Sequence, residues 1–231
     1  TNAASVQFAV TFAEAVSGVS AADFTPNMSG GTLSGSTVTG CTPDTSVSGT
    51  SATYTVTVET GTGDGTLRLD ITDDDSIVDV AANPLGGAGA NNYTGGQTYS
   101  VDRTAPSVAL TVLNQAPTNA LPISVTATFS ESVTGFVSGD ITATNATVSA
   151  FAGSGTTYTF NLVPSAQGTV SATVAANKAT DAAGNGNTAA PAAFTRVYDT
   201  VPPSVSSIVK ASTDPTTAAS VNFTVTFSEG V

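Results

Sequence analysis

The sequence has no histidine, no tryptophan and one cysteine, and only 5 Lys and Arg residues against 17 Asp and Glu. Each shortage excludes something. Without histidine, the commonest general base and the commonest imidazole metal ligand are missing. Without tryptophan, the strongest sugar-stacking side chain is missing. A lone Cys41 cannot close an internal disulfide, so a secreted domain of this kind must be stabilised by other means, of which metal is one. The net charge of −12 repels the phosphates of nucleic acid and anionic membrane surfaces alike. No run of 18 apolar residues occurs, so no membrane insertion is expected in this segment.

What is present is repetition. "VTFAEAV" at 10–16 returns as "ATFSESV" at 127–133 and "VTFSEGV" at 225–231. "TYTVTV" at 53–58 returns as "TYTFNL" at 157–162, and "VDRTAPSV" at 101–108 as "YDTVPPSV" at 198–205. Phe129 to Phe227 is 98 residues and Pro106 to Pro203 is 97, whereas Phe12 to Phe129 is 117. The excess lies in two polar stretches, 40–49 and 86–96.

Within each unit the apolar residues alternate with Thr and Ser, the period of a half-buried antiparallel strand. In the middle unit strands are expected at 107–113, 122–130, 140–151, 156–163, 168–176 and 192–199. Val125, Ala127 and Phe129 are placed on one face of the second of these, which corresponds to strand B. Helical periodicity is not sustained anywhere, and Gly, Pro, Asn and Ser punctuate every run. About 100 residues of short alternating strands is the size of an immunoglobulin-like (Ig-like) sandwich. The expected fold is all-β: tandem antiparallel Ig-like β-sandwiches, Greek key, about seven strands each. Residues 1–106 form a repeat lacking its strand A, with long loops. Residues 107–203 form a complete repeat, and 204–231 supply the first two strands of a third. Two strands hold no core alone. They are expected to pair with neighbouring repeats, either of the same chain or of an adjacent copy.

"FSESVTGFVSGDI", "GSGTTYTFNLVPSAQGTVSATVAANKATDAAGNGNTAA" and "YDTVPPSV" resemble the tandem bacterial Ig-like repeats of large surface and adhesin proteins. "ITDDDSIVDVAANPLGGAGANNYTGGQTYSVDRTAP" resembles the longer variant of that repeat. The resemblance spans essentially the whole chain. It implies a non-enzymatic protein of the bacterial cell surface or exterior, acting as a stalk, adhesin shaft or filament. It also implies calcium at repeat junctions, as in several related repeat classes.

The acids are grouped rather than scattered. Glu14, Glu131 and Glu229 are expected to end strand B. Asp23 and Asp140 each follow a Glu by nine residues, and Asp79 and Asn83 match Asp181 and Asn185. Asp102 and Asp199 precede the Pro linkers. In an Ig-like sandwich the B–C and F–G loops share one end, and the preceding linker arrives there. One junction is therefore expected to gather Asp102, Glu131, Asp140, Asp181 and Asn185. A second gathers Asp199 and Glu229, and Glu14, Asp23, Asp79 and Asn83 form the corresponding end of the first unit. Crowded carboxylates either shift their pKa or hold a cation. Oxygen-rich sites without Cys or His suit calcium. The bland alternative is that these side chains cap turns in water.

"TDDDS" at 72–76 is the densest acidic run, and it reads equally as extra ligands or as a solvated turn. It is not an EF-hand, since Ile77 follows and no Gly stands at 78. Carboxylates that recur in every unit fit structure better than a single active site, so no enzyme is expected. The rival reading is a carbohydrate-binding module, or a protein-ligand site elsewhere in the parent protein. Tyr54 and Tyr158 fall in core register, which leaves Tyr93, Tyr99 and Tyr198 as stacking platforms.

Overall fold

The computed structural model describes residues 1–113, 116–212 and 214–231; positions 114–115 and 213, within the second and third expected units, lie outside it. The first seven strands are β1 (Ser5–Ser17), β2 (Phe24–Gly31), β3 (Thr37–Thr42), β4 (Ser51–Glu59), β5 (Gly65–Ile71), β6 (Val78–Asp79) and β7 (Thr98–Val101). They form two antiparallel sheets, β3-β4-β1-β6 and β2-β5-β7. The Thr-interleaved runs behave as their period dictates. Tyr54, Val56 and Val58 on β4 and Leu67, Leu69 and Ile71 on β5 turn inward, and they meet Val6 and Phe8 in one core. Each such side chain stabilises the fold by about 1.5–3 kcal/mol relative to full exposure. Cys41 on β3 is half-buried against this core, and its Sγ contacts the Pro43 carbonyl. Burial first, then the negative charges of Asp44 and Asp23, raise its thiol pKa, so it behaves as a small apolar residue rather than a nucleophile.

The next six strands repeat the plan: β8 (Val108–Thr111), β9 (Ile123–Val133), β10 (Ile141–Thr144), β11 (Ala146–Pro164), β12 (Gly168–Val174) and β13 (Phe194–Tyr198). Sheets β11-β9-β8 and β10-β12-β13 enclose a second core. Val125, Ala127 and Phe129 of β9, Phe160 and Leu162 of β11, and Val170, Ala172 and Val174 of β12 are all buried in it. The chain is thus an all-β protein of antiparallel sandwiches. β14 (Val205–Lys210) and β15 (Phe223–Phe227) pair antiparallel as a two-stranded ribbon in which every residue is exposed.

Two features differ from the sequence expectation. The strands at 140–151 and 156–163 merge into a short β10 and a 19-residue β11. More important, Glu14 and Glu131 do not lie beyond strand B. β1 and β9 run through them to Ser17 and Val133. The pairing shows why. Thr11 opposes Thr53 and Val16 opposes Ser51, so β1 advances five residues while β4 advances two. Thr128 opposes Thr157 and Val133 opposes Gly155, the same five against two. The repeated "F-x-E-x" is therefore a β-bulge, a device that bends a strand and re-aims its side chains. A regular strand would keep a Glu two residues after a core Phe on the core face.

The bulge is clamped identically in both units. The buried Tyr54 hydroxyl donates to the Val16 carbonyl at 2.8 Å, and the Tyr158 hydroxyl to the Val133 carbonyl at 3.1 Å. Two residues further on, Gly18 and Gly135 take φ of 86° and 83°. An L side chain is strained in that region, and at Gly18 it would also strike the Ser76 carbonyl.

Candidate metal centre at the junction

The linker between the two sandwiches is fastened on both sides. On the first, the Asp64 carboxylate accepts from the Arg103 backbone N–H and the Thr104 hydroxyl. These bonds, chiefly that from Thr104, hold the Asp64 carboxyl below the usual carboxylate range. Arg103 reaches the carbonyls of Asn2 and Ala3, and the Asp102 N–H donates to the Thr1 carbonyl at 3.0 Å. On the second, the Thr188 N–H donates to the Pro106 carbonyl at 2.8 Å. Asp102 is therefore carried by the first sandwich and presented to the second.

There it meets two carboxylates. Asp102, Glu131 and Asp181 each offer an oxygen, all within 4.8 Å of one another. Glu131 is delivered by the β9 bulge. Asp181 stands in a loop closed on itself: the Asn185 N–H donates to Asp181 Oδ1 and Asn185 Nδ2 to Oδ2, both at 2.8 Å. Asn185 Nδ2 also donates to the Asp102 carbonyl at 3.0 Å, and its Oδ1 accepts from Asn2 Nδ2 at 3.2 Å. Its amide oxygen is thus engaged across the junction, and the residue orients the acids.

The electrostatics follow the geometry. Burial acts to raise the Asp181 carboxyl, but donation from the Asn185 amide and nearby backbone N–H groups outweighs it and leaves the pKa lowered. Among the described residues Glu131 has no such donors. Burial first, then the charges of Asp181, Asp102 and Asp64, push its pKa up. Among the described residues, the three ion pairs join Arg68 to Asp70, Lys178 to Asp140 and Lys210 to Asp214, so no basic side chain neutralises the triad.

The other expected ligands lie elsewhere. Asp140 caps the short turn before β10: its Oδ2 accepts from the Val137 N–H at 2.9 Å, and Lys178 lies 3.7 Å from Oδ1. Asp23 does the same before β2, buried, accepting from the Ser20 N–H at 2.7 Å and from the Ser20 and Ser76 hydroxyls. Glu14, Asp79 and Asn83 line one depression on the first unit. There Asp79 holds Asn83 as Asp181 holds Asn185, and the Asn83 side-chain bond is the main cause of the lowered Asp79 pKa. Asp199 accepts from Gln167 and from the Val201 N–H, much as Asp102 accepts from the Thr104 N–H. Glu229 Oε1 is enclosed without a hydrogen-bond partner among the described residues.

The "TDDDS" run folds a loop. Asp73 accepts from the N–H groups of Asn91 and Asp75, Asp75 from Gly89, and Asp74 from Ser76, tying the glycine-rich stretch at 86–92 to the first sandwich. Of the candidate platforms, Tyr99 packs edge-on to Phe8 and bonds the Gln7 carbonyl, Tyr198 is packed against the second core, and Tyr93 is 55% exposed. Asp64 and Asn2 were not singled out by sequence. Asp64 sits in a plain "GDG" turn and acts on residues about 40 positions away, so no local pattern marks it. No helix among the described residues is long and apolar enough to cross a membrane.

No curated protein matches the chain. Among solved structures it is similar to FdeC, an adhesin of Escherichia coli, with 16% identity and a TM-score of 0.40 over 87% of this chain. The chain spans 65% of that structure's length. Residues 102–197, from the Asp that opens the junction to the last strand of the second sandwich, match the bacterial Ig-like domain family.

Proposed function

We propose that the chain is a non-enzymatic structural segment of an extracellular bacterial surface protein, a rigid shaft of an adhesin, stalk or filament whose joint is locked by calcium. One observation carries the reading: three carboxylates from both sides of a short Pro-containing linker converge within 4.8 Å, and no ion pair among the described residues offsets them. A hard cation that takes six to eight oxygens suits that donor set, with water and backbone carbonyls completing the shell. Asp102 belongs to one sandwich and Glu131 and Asp181 to the other, so a shared ion opposes bending as well as unfolding. The inter-unit bonds of Asn185 and the X-Pro restriction at Ala105 already limit the hinge. Glycan binding is less well supported, since it needs exposed aromatic platforms and one tyrosine, Tyr93, exposes more than half of its surface among the described residues.

Titration calorimetry of the chelator-treated chain with calcium chloride tests this. One site with a dissociation constant of roughly 0.1–1 mM is expected, typical of extracellular modules. Asp181→Asn is expected to weaken it at least tenfold while Asp140→Asn, a turn cap, leaves it in place. Absence of saturable heat in the unmodified chain overturns the calcium assignment.

A further inference from the structure

The loop that carries Asp181 holds a second chemistry. Asn185, whose amide orients the acids, is followed by Gly186, and no other asparagine in the sequence is followed by glycine. Asparagine amides are thermally labile. The lability depends on the next residue, whose backbone nitrogen is the nucleophile. At Gly186 no side chain shields that nitrogen, and its N–H has no hydrogen-bond acceptor among the described residues. Packing excludes a side chain there, since a Cβ would lie 2.2 Å from Asn177 Oδ1. The first sandwich supplies the contrast. Asp79 holds Asn83 as Asp181 holds Asn185, but Pro84 follows Asn83 and offers no N–H.

We propose that Asn185 is a self-modification site, converted through a succinimide to aspartate and isoaspartate when the joint between the sandwiches opens. The Gly186 nitrogen gives up its proton and bonds to Asn185 Cγ. The Cγ–Nδ2 bond breaks, and Nδ2 takes up that proton and leaves as ammonia. Solvent water then opens the ring. Its attack at Cγ yields aspartate, and its attack at the Asn185 backbone carbonyl carbon yields isoaspartate. Water is consumed and ammonia released, and nothing is oxidised or reduced.

In the closed joint Nδ2 is tethered to Asp181 Oδ2 at 2.8 Å and to the Asp102 carbonyl at 3.0 Å. Cyclisation turns Cγ onto the Gly186 nitrogen and releases Nδ2, so both bonds break first. Asp102 is carried by the other sandwich, so its bond breaks as the joint opens. The product does not restore them. Aspartate has no side-chain N–H to donate, and it sets a fourth carboxylate beside Asp102, Glu131 and Asp181, where like charges repel. Isoaspartate also lengthens the main chain ahead of Asn187, whose side chain is fixed by the Lys178 and Ala179 N–H groups. Conversion is therefore one-way and loosens the joint where no cation offsets the charge. It rests on the hydrogen-bonded joint and not on calcium, so its failure and that of the calcium reading are distinguishable.

The test incubates the full chain in mildly alkaline chelator buffer, below its melting temperature, beside the peptide 179–196 that trypsin releases by cutting after Lys178 and Arg196. Tandem mass spectrometry of tryptic digests locates each new acid, and enzymatic methylation counts isoaspartate. Acid is expected at Asn185 while Asn83 and Asn187 keep their amides. Conversion in the folded chain is expected to be roughly 30- to 2000-fold slower than in the peptide, the ratio set by one charged and one neutral hydrogen bond. Asp181→Ala, which removes the charged acceptor, is expected to speed it roughly tenfold or more. A folded chain that converts as fast as the peptide, or one whose Asn185 amide outlasts that of Asn83, overturns the proposal whatever the variant does. So does an Asp181→Ala chain, folded by circular dichroism, that converts no faster than the parent.

Discussion

Phe129→Ala is expected to destabilise the second sandwich by about 3–5 kcal/mol, the range for removing a fully buried aromatic ring. The ring is 2% exposed and packs into an aromatic cluster, with centroids 5.1 Å from Phe136 and 5.8 Å from Tyr158, both edge-on. Tyr158 in turn clamps the bulge through Val133, so the cavity also loosens the strand that carries Glu131. Small domains hold about 5–15 kcal/mol in total, so this is a large fraction. The repeated motif makes the prediction differential. Phe12 is half-buried and touches Tyr54 at 5.6 Å, and its removal is expected to cost less. Phe227 is 41% exposed on the ribbon, and its removal in dilute solution is expected to fall within about 0.5 kcal/mol of neutral. Denaturant unfolding of the three variants orders them, and equal costs contradict the assignment of cores.

Glu131→Gln is expected to change sign with calcium. In the metal-free chain the Glu131 pKa is raised by burial and by its acidic neighbours. A raised carboxyl contributes stability that is present below the ordinary carboxylate range and is lost as pH rises through its folded-state value. Asp181, lowered, behaves oppositely: its contribution is present above the ordinary range and is lost as pH falls through its folded-state value. At pH 7 in chelator, Gln at 131 removes an unfavourable charge, so the variant is expected to melt above the parent. With 10 mM calcium and a dissociation constant of roughly 0.1–1 mM, the parent gains about 1.4–2.7 kcal/mol. That corresponds to roughly 5–20 °C for a sandwich of this size. The variant, short of a ligand, gains little, and the order of melting inverts. Scanning calorimetry of both proteins with and without calcium reads this directly, and a parent that melts identically in both conditions contradicts it.

The alternation of Val, Phe and Tyr with Thr made the sandwiches and their cores legible from the sequence, because a two-residue period is a direct record of which face is wet. Three members of the junction set were legible too, since the repeat topology places the linker, strand B and the last loop at one pole. The bulge was not, because the three extra residues leave the alternation on either side intact and show only in the pairing. Asp23 and Asp140 were read as ligands from their spacing to the Glu. "SAAD" at 20–23 carries the local signature of a capped turn, Ser followed three residues later by an acid, and that short-range bond wins. Asp64 depends on contacts with a linker distant in sequence, which composition and spacing do not encode.

The central claim is that a cation fixes the angle between two sandwiches. Pulsed electron spin resonance tests it most directly, on Cys41→Ser chains spin-labelled through Ser48→Cys on the first sandwich and Ser154→Cys on the second, both exposed positions. With calcium, a single narrow distance distribution is expected. With chelator, the distribution broadens as the triad repels itself, and Asp102→Asn keeps it broad even when calcium is returned. A distribution of the same width in calcium and in chelator would contradict the locked joint.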